Sequence, residues 1–458
     1  MVLATVILAA GQGKRMHSSL AKVLHCLAGK PLLEHVVQTA SKLYSSQLPI
    51  VVYGHQGDIV QHLLSHLNVV WVKQSQQLGT GHALLQASSS IPTDSHVLVL
   101  YGDVPLISYE TLKNFISTTP AHSIGIMTAN LPDPTGFGRI IRDKHHHIIR
   151  IVEEKDANSS EQSINEINSG IYLIPGDYLK KSLPKMTNKN AQQEYYLTDL
   201  IAIAAEENIP IHSTQVLHYQ EILGVNDQLQ LAKVERYYQC RMAEKLMCQG
   251  VTLRDPQRFD IRGDVTIGRD VIIDVNVILE GHVKIGNQCS IGPNTLLRNV
   301  TLGDKVTIKS NCVIEDADIE SECIIGPFAR LRPGTRLASH VHIGNFVEIK
   351  NSAIHQSSKI NHLSYIGDSD IGAQVNIGAG AITCNYDGIN KHRTLIGNQA
   401  FIGTNTTLIA PVEIGEGAYI AAGSTITRHA PAHQLTIGRA KQRSIENWGG
   451  PKKKVKEE

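Results

Sequence analysis

Three hydrophobic rhythms follow one another along the chain. From residue 1 to about 225, short apolar runs at 5–10, 50–53, 69–72 and 97–101 alternate with amphipathic stretches such as 58–67. That is the rhythm of βαβ units feeding a mostly parallel, Rossmann-like sheet. From 226 to 250 the spacing turns helical, with Leu229, Leu231, Val234, Tyr238, Met242 and Leu246 apolar, an Asn/Asp start and a Gly stop, which predicts one linking helix. Beyond Gly250 the period becomes six. Ile or Leu stands at 261, 267, 273, 279, 285, 291 and 297, then at 302, 308 and 314 after a one-residue deletion. It continues at 319, 325, 331, 337, 343 and 349, at 354, 360 and 366, and at 371 and 377. An insertion containing 384–394 follows, and the series resumes at 396, 402, 408, 414, 420 and 426.

A six-residue unit is a short strand plus a corner, and three such units close one triangular coil of a parallel β-helix. About nine coils are expected between Ile261 and Ile426, each burying its core only by stacking on its neighbours. The aliphatic points inward, and small residues four further on, such as Cys289, Cys312 and Cys323, share the interior. The expected organisation is 1–225, a linker helix 226–250, and 251–458, with the β-helix at about 261–430 and a tail at 431–458.

Composition narrows the function. Among 458 residues, 43 Lys+Arg nearly cancel 42 Asp+Glu to +1, which argues against binding nucleic acid through phosphate electrostatics and points to small ligands. No apolar run reaches the roughly 18–20 residues that span a bilayer. At the N-terminus the apolar block precedes Lys14 and Arg15, the reverse of a secretory signal, so membrane insertion is not expected and a cytoplasmic location is. The 7 cysteines, odd in number and without C-x-x-C, read as reduced thiols.

Two places in the first half carry candidate chemistry. Leu8-Ala9-Ala10-Gly11-Gln12-Gly13-Lys14-Arg15-Met16, with Lys22 after it, is a Gly-rich loop directly behind a strand. Bare backbone can approach a phosphate there, and the cations offset its charge. It is neither the dinucleotide fingerprint nor a Walker loop, and an ordinary turn is the alternative reading. Tyr101-Gly102-Asp103 ends another strand, where ligands of open α/β sheets bind, so Asp103 is placed as a metal-binding carboxylate, a helix cap or turn being the alternative.

The first motif resembles the L-A-A-G-x-G-x-R-M…K signature of sugar-phosphate nucleotidyltransferases, with Ala21 where that family has Pro before the lysine. The hexads resemble the hexapeptide-repeat acyltransferases, whose parallel β-helix is left-handed. Both halves together resemble the bifunctional family that joins N-acetylglucosamine-1-phosphate uridyltransferase to glucosamine-1-phosphate acetyltransferase. Further motifs carry this likeness: Glu153 in VEEKD, Asn168 in EINSG, Asn190 leading into EYYLTD, and GPFARLRPG at 326–334.

That resemblance implies uridyl-site contacts at Leu8, Ala9, Ala10, Gly11, Lys22, Gln74, Gly79, Thr80, Tyr101, Gly102, Asp103, Gly138, Glu153, Asn168 and Asn226. It implies Mg²⁺ on Asp103 and Asn226, with Arg15 and Lys22 as the catalytic cations. For acetyl transfer it implies His362 as catalytic base and Arg332, Lys350, Tyr365 and Asn376 as sugar-phosphate contacts. Ala379, Asn385, Tyr386, Thr404, Ala422 and Arg439 would contact acetyl-CoA, with Thr404 standing where Ser is expected. Asn376, almost one coil beyond His362 and Tyr365, is expected to stack near them, and Arg332 and Lys350 to share one wall. The implied substrates are glucosamine-1-phosphate, N-acetylglucosamine-1-phosphate, UTP and acetyl-CoA; the product is UDP-N-acetylglucosamine, a precursor of cell-envelope polysaccharide, and the assembly is a homotrimer.

Other features read as structure. His145-His146-His147 between Arg142-Asp143-Lys144 and a strand is expected to be a hairpin turn rather than a metal site. Cys384 suggests an acyl-cysteine, but the matched pattern needs no such nucleophile. The basic stretch 451–456 reads as a solvated tail or a weak attraction for CoA phosphates. A rival function leaves the β-helix as a trimerising or regulatory module of a nucleotidyltransferase, for which His362, Tyr365, Asn376 and the 383–394 loop would be unnecessary.

Overall fold

The computed structural model describes residues 2–43 and 47–450. The basic stretch 451–456 lies outside the described residues. The chain forms two compact units, Met1–Arg241 and Met242–Glu458.

In the first unit the strands are β1 (Val2–Ala9), a small hairpin of β2 (Cys26–Leu27) and β3 (Lys30–Pro31), β4 (Ile50–Tyr53), β5 (Val70–Lys73), β6 (Ser95–Tyr101), β7 (Ile124–Asn130), β8 (Arg139–Arg142), β9 (Ile148–Val152), β10 (Glu166–Pro175) and β11 (Ile211–Gln215). The helices are α1 (Leu32–Ala40), α2 (Gly57–Leu63), α3 (Thr80–Ala87), α4 (Tyr109–Thr118), α5 (Ser159–Gln162), α6 (Gly176–Ser182) and α7 (Asp199–Glu206), with α8 (Gln228–Cys248) belonging to this unit as far as Arg241. The main sheet runs β11-β7-β10-β6-β1-β4-β5. Alternation along β1 explains its double burial: Leu3, Ile7 and Ala9 join a core with Leu33, Val36 and Ala40 of α1. Ala4, Val6 and Leu8 join the opposite core with Leu84 of α3 and Leu200 of α7, as expected of a sheet covered on both faces.

The sheet is more mixed than the apolar rhythm implies. β1 pairs parallel with β4 and β6, and β7 with β11, but β10 lies antiparallel between β6 and β7. The β8–β9 hairpin turns at His145–His147, where the Asp143 N–H donates to the His147 carbonyl at 2.9 Å. In α8 the predicted stripe is only partly used. Val234 packs with Met16, Leu27, Leu32, Leu106 and Val225, whereas Leu229 is 84% exposed. Ala243 and Leu246 belong to the core of the second unit.

That second unit is a parallel β-helix. Ile273 pairs in register with Ile291, and the ladder continues through Ile308, Ile325, Ile343, Ile360 and Ile377. Every hexad aliphatic from Ile261 to Ile426 is buried except Ile267, which is partly so. Cys289, Cys312 and Cys323 fill the same core, and burial pushes their thiols up, Cys323 to about 11. The corners place Asp270, Asn276, Asn294, Asn299, Asn311 and Asp316 in the left-handed region, which Asn and Asp tolerate best among non-glycine residues. The Asn276 amide donates to Asn294 at 2.9 Å and Asn294 to Asn311 at 3.2 Å. Among the described residues, no helix is long and apolar enough to cross a membrane.

Candidate functional sites

The carboxyl ends of β1 and β6 open into a cavity of about 530 Å³. It is lined by Leu8, Ala9, Ala10, Gly11, Arg15, Lys22, Gln74, Gly79, Thr80, Tyr101, Asp103 and Asn226 from the expected set, and also by Gln12, Gly13, Lys14, Val23, Gln77, Ala83 and Glu194. Gly102 does not line it, but its N–H donates to the Leu8 carbonyl at 2.9 Å and so joins the two strand ends. Gly13 has φ +63, and a Cβ there would come within 2.8 Å of the Lys22 Cβ. Glycine is therefore what lets the loop fold back on Lys22. Ala21 takes φ −57, inside the range a proline would impose, so the backbone before Lys22 has a conformation that the family's proline would also adopt.

The Lys22 ammonium donates to the Asp103 carboxylate and lies 3.2 Å from Asn226 Oδ1. A carboxylate oxygen and an amide oxygen thus converge on one positive charge. This donor set fits a hard divalent cation that takes its remaining ligands from water and substrate phosphates. Among the described residues there is no cluster of three or more His, Cys, Asp or Glu that would hold a metal without a substrate. The backbone of Asn226 is itself held, its N–H donating to Gln230 Oε1 of α8 at 2.8 Å.

Gly138, Glu153 and Asn168 do not line that cavity; they form a neighbouring group. Asn168 N–H donates to the Gly138 carbonyl at 2.9 Å, and a Cβ on Gly138 would lie 3.5 Å from both Glu153 oxygens. Thr198 donates to Glu153 Oε1 at 3.3 Å. Burial pushes the Glu153 carboxyl above the ordinary carboxylate range. Burial, then the Glu153 charge, pushes the Tyr101 phenol up, so Tyr101 links this group to the crevice. The segment 190–198 ties both sides. Tyr195 N–H donates to the Leu78 carbonyl and Gly81 N–H to the Tyr195 carbonyl, each at 2.8 Å. Leu197 N–H reaches the Thr80 hydroxyl at 3.0 Å, and Ala191 N–H reaches Asp156 at 3.0 Å. Gly79 has φ +110, and a Cβ there would meet the Tyr195 carbonyl.

In the β-helix, His362 Nδ1 lies 3.0 Å from Asn345 Oδ1 one coil away. The column continues upward. Gly380 N–H reaches the His362 carbonyl at 3.4 Å, Asn405 N–H the Ala379 carbonyl at 2.8 Å, and Gly423 N–H the Thr404 carbonyl at 2.7 Å. Arg439 Nη1 caps it on the Ala422 carbonyl at 2.7 Å. His362 therefore heads the column that holds Ala379, Thr404, Ala422 and Arg439.

The adjoining wall carries the cations. Arg332 pairs with Glu348 at 2.8 Å, Glu348 stacks on Tyr365, and Lys350 stacks on Gly367. A Cβ at Gly367 would come within 2.6 Å of the Tyr365 hydroxyl and 2.8 Å of the Asn385 amide. Lys391 beside Lys350 pushes that ammonium below its usual value. Asn385 donates to Asp368. Tyr386, exposed, bridges back to Lys391 across the inserted loop. Asn376 departs from expectation: it stacks on Lys359 and Phe401 rather than on His362 or Tyr365, because the 17-residue coil step sets Ile382 on Tyr365 and puts Ala379, not Asn376, one step beyond His362. Asn345, Glu348 and Lys391 were not singled out by the sequence reading; no motif marks them, and their partners follow from the stacking register.

Three known families match parts of the chain: the MobA-like NTP transferase domain over residues 5–149, the GMPPB C-terminal domain over 261–347, and the bacterial transferase hexapeptide (six repeats) over 393–428. Similarity over the full length is to proteins named Bifunctional protein GlmU. That of Alcanivorax borkumensis is 52% identical over 453 residues, covering 99% of this chain and 100% of its own. The Coxiella burnetii protein is 52% identical over 455 residues, with 99% and 100% covered. The Methylococcus capsulatus protein is 52% identical over 458 residues, with 100% and 99% covered.

Proposed function

The chain belongs to the GlmU family of bifunctional enzymes, and from that premise we propose which of its residues carry each of the two reactions. The enzyme makes UDP-N-acetylglucosamine: it acetylates glucosamine-1-phosphate from acetyl-CoA and transfers uridylate from UTP to N-acetylglucosamine-1-phosphate. Its nucleotide-transfer half is of a divalent-metal-dependent kind.

Uridyl transfer belongs to the crevice of the first unit. The sugar-phosphate oxygen attacks the α-phosphorus of UTP and pyrophosphate leaves, so the protein must position the reactants and offset charge. Lys22 and Arg15 supply positive charge beside the phosphates, and the Gly11 to Gly13 backbone lets them approach. Gln74 faces the base edge, with Gly79 and Thr80. Gly138, Glu153 and Asn168, linked through Tyr101, receive the sugar. Mg²⁺ on Asp103 and Asn226 would offset the phosphate charge that accumulates in the transition state. The observation that carries this reading is the convergence of Asp103 and Asn226 on the Lys22 ammonium at the mouth of the phosphate loop.

Acetyl transfer belongs to the β-helix. With the imidazole Nδ1–H donating to Asn345, Nε2 of His362 is left with its lone pair to take the proton shed when the sugar amine attacks the thioester. Arg332, Lys350 and Lys391 gather positive charge for the sugar phosphate, with Tyr365 beside them. Ala379, Thr404, Ala422 and Arg439 form the column for acetyl-CoA, and Asn385 and Tyr386 approach the donor from the adjoining wall. Asn376 lies off this group within one chain, and a homotrimer, toward which the hexapeptide repeats point, would let another copy supply it. Phe328, Phe346 and Leu363 occupy successive steps of one corner at 49%, 54% and 61% exposure, and the two phenylalanines stack at 5.2 Å; such an apolar ladder suits burial between copies. The substrates are those of a cytoplasmic enzyme.

Asp103→Ala in the full chain tests the assignment. Formation of UDP-N-acetylglucosamine from N-acetylglucosamine-1-phosphate is expected to fall about 100-fold or more, as it is with EDTA, while CoA release from glucosamine-1-phosphate stays unchanged. Equal loss of both activities would contradict the separation of the sites.

A further inference from the structure

We propose that His82 is a positioning residue that sets which pyrimidine the nucleotide site accepts, by holding the Gln74 amide with its oxygen toward the crevice. This rests on the reading that the crevice carries uridyl transfer and that Gln74 faces the base. Gln74 is only 3% exposed, yet lines the crevice. Its Nε2 lies 3.2 Å from the Gly79 carbonyl and 3.0 Å from His82 Nδ1. A primary amide has two N–H donors. Both are engaged inside the protein, which leaves Oε1 as the group offered to a ligand.

The imidazole must accept at Nδ1 for this to hold, and the surroundings require it. A turned Gln74 amide would set its oxygen against the Gly79 carbonyl oxygen, so the orientation is fixed from that side. A neutral imidazole that accepts at Nδ1 carries its proton on Nε2. Gln86 Nε2 is placed 3.2 Å from that atom, and a half-turn of the Gln86 amide, which exchanges its O and N in place, gives the Nε2–H its acceptor. His82 stands on α3, which begins at Thr80, directly after the glycine whose carbonyl takes the other Gln74 hydrogen. One turn of chain therefore supplies both anchors.

The consequence is a choice of base. Uracil presents an N3–H donor between two carbonyl oxygens, whereas cytosine presents an N3 lone pair beside an amino group. An amide oxygen held toward that edge accepts from uracil N3–H and opposes the cytosine N3 lone pair. A site that commits its polar groups in this way rejects the mismatched edge. His82 touches neither substrate in this account; it acts through Gln74.

His82→Phe keeps a ring beside Tyr195, whose centroid is 6.4 Å away, but removes the acceptor. The ratio of kcat/KM for UTP to that for CTP is expected to fall about tenfold, the worth of one hydrogen bond. The loss should sit in a raised KM for UTP, with kcat within about twofold. His82→Asn, whose side-chain oxygen stands near the position of Nδ1, should restore most of the ratio, and His82→Leu serves if the Phe variant does not fold. A ratio unchanged in the Phe or Leu variant, or an Asn variant no better than either, overturns the inference. If the unaltered enzyme makes no UDP-sugar, or Gln74→Ala leaves the KM for UTP unchanged, the underlying reading fails instead.

Discussion

Asp199 stands at the start of α7 with its carboxyl half out of water, and burial, with the Asp156 charge beside it, lifts its pKa from 3.8 to about 6. A carboxyl that holds its proton more tightly when folded destabilises the fold progressively as pH rises from about 4 to 6. Asp199→Asn is therefore expected to stabilise the protein at pH 7 by about 1–2 kcal/mol, a figure reduced for its solvent contact. Near pH 4 the difference should vanish. Urea unfolding at the two pH values measures this; a variant no more stable than the parent at pH 7 would mean that Asp199 is better solvated than its burial implies. At this scale the phosphate loop was readable, because glycines, cations and a preceding strand coincide within a few residues. Asn345, Lys391 and His82 were not, since each acts through a partner that only the fold brings near.

Elements were legible in proportion to their periodicity. The six-residue repeat names nearly every core position of the β-helix, because each inward aliphatic is followed by a corner, an inward small residue and one outward residue, as from Ile285 through Cys289 to Ile291. Asn376 is the exception that the repeat does not place by eye: it follows His362 and Tyr365 by less than the 17-residue step that sets the ladder there, so it falls on Lys359 instead. The antiparallel β10 was also unreadable, since a run buried on both faces has no direction in its sequence. Stacking predicts unequal costs along the solenoid. Ile343 lies between Ile325 and Ile360 in register, whereas Ile426, among the described residues, pairs in its ladder with Leu408 alone. Ile343→Ala should cost about 4 kcal/mol and Ile426→Ala about 2 kcal/mol in denaturant unfolding. Equal costs would indicate that the coils do not share their stability with neighbours.

For the whole molecule, the boundary that matters falls inside α8. The sequence suggests a division at 225 and 250, yet Val234 fills the core around Met16 and Leu106. Gln230 holds Asn226, Glu235 accepts from the Ala28 N–H at 2.8 Å, and Arg241 reaches the Leu106 carbonyl at 2.8 Å. A fragment of residues 1–241 is thus expected to retain uridyl transfer without acetylation. One ending at 227 should be less stable by about 2–4 kcal/mol and slower, because the loss of Gln230 frees Asn226; assays and unfolding of both fragments test this. Two independent sites on one chain would perform successive reactions, and product analysis by mass for His362→Ala beside the unaltered enzyme separates them. With glucosamine-1-phosphate, acetyl-CoA, UTP and Mg²⁺, the unaltered chain should yield UDP-N-acetylglucosamine, CoA and pyrophosphate. The variant should form that product about 10²–10⁴ times more slowly, yet make it at the normal rate when given N-acetylglucosamine-1-phosphate. Full acetylation by His362→Ala, or loss of uridyl transfer along with it, would mean that His362 is not the base or that the two sites are not independent.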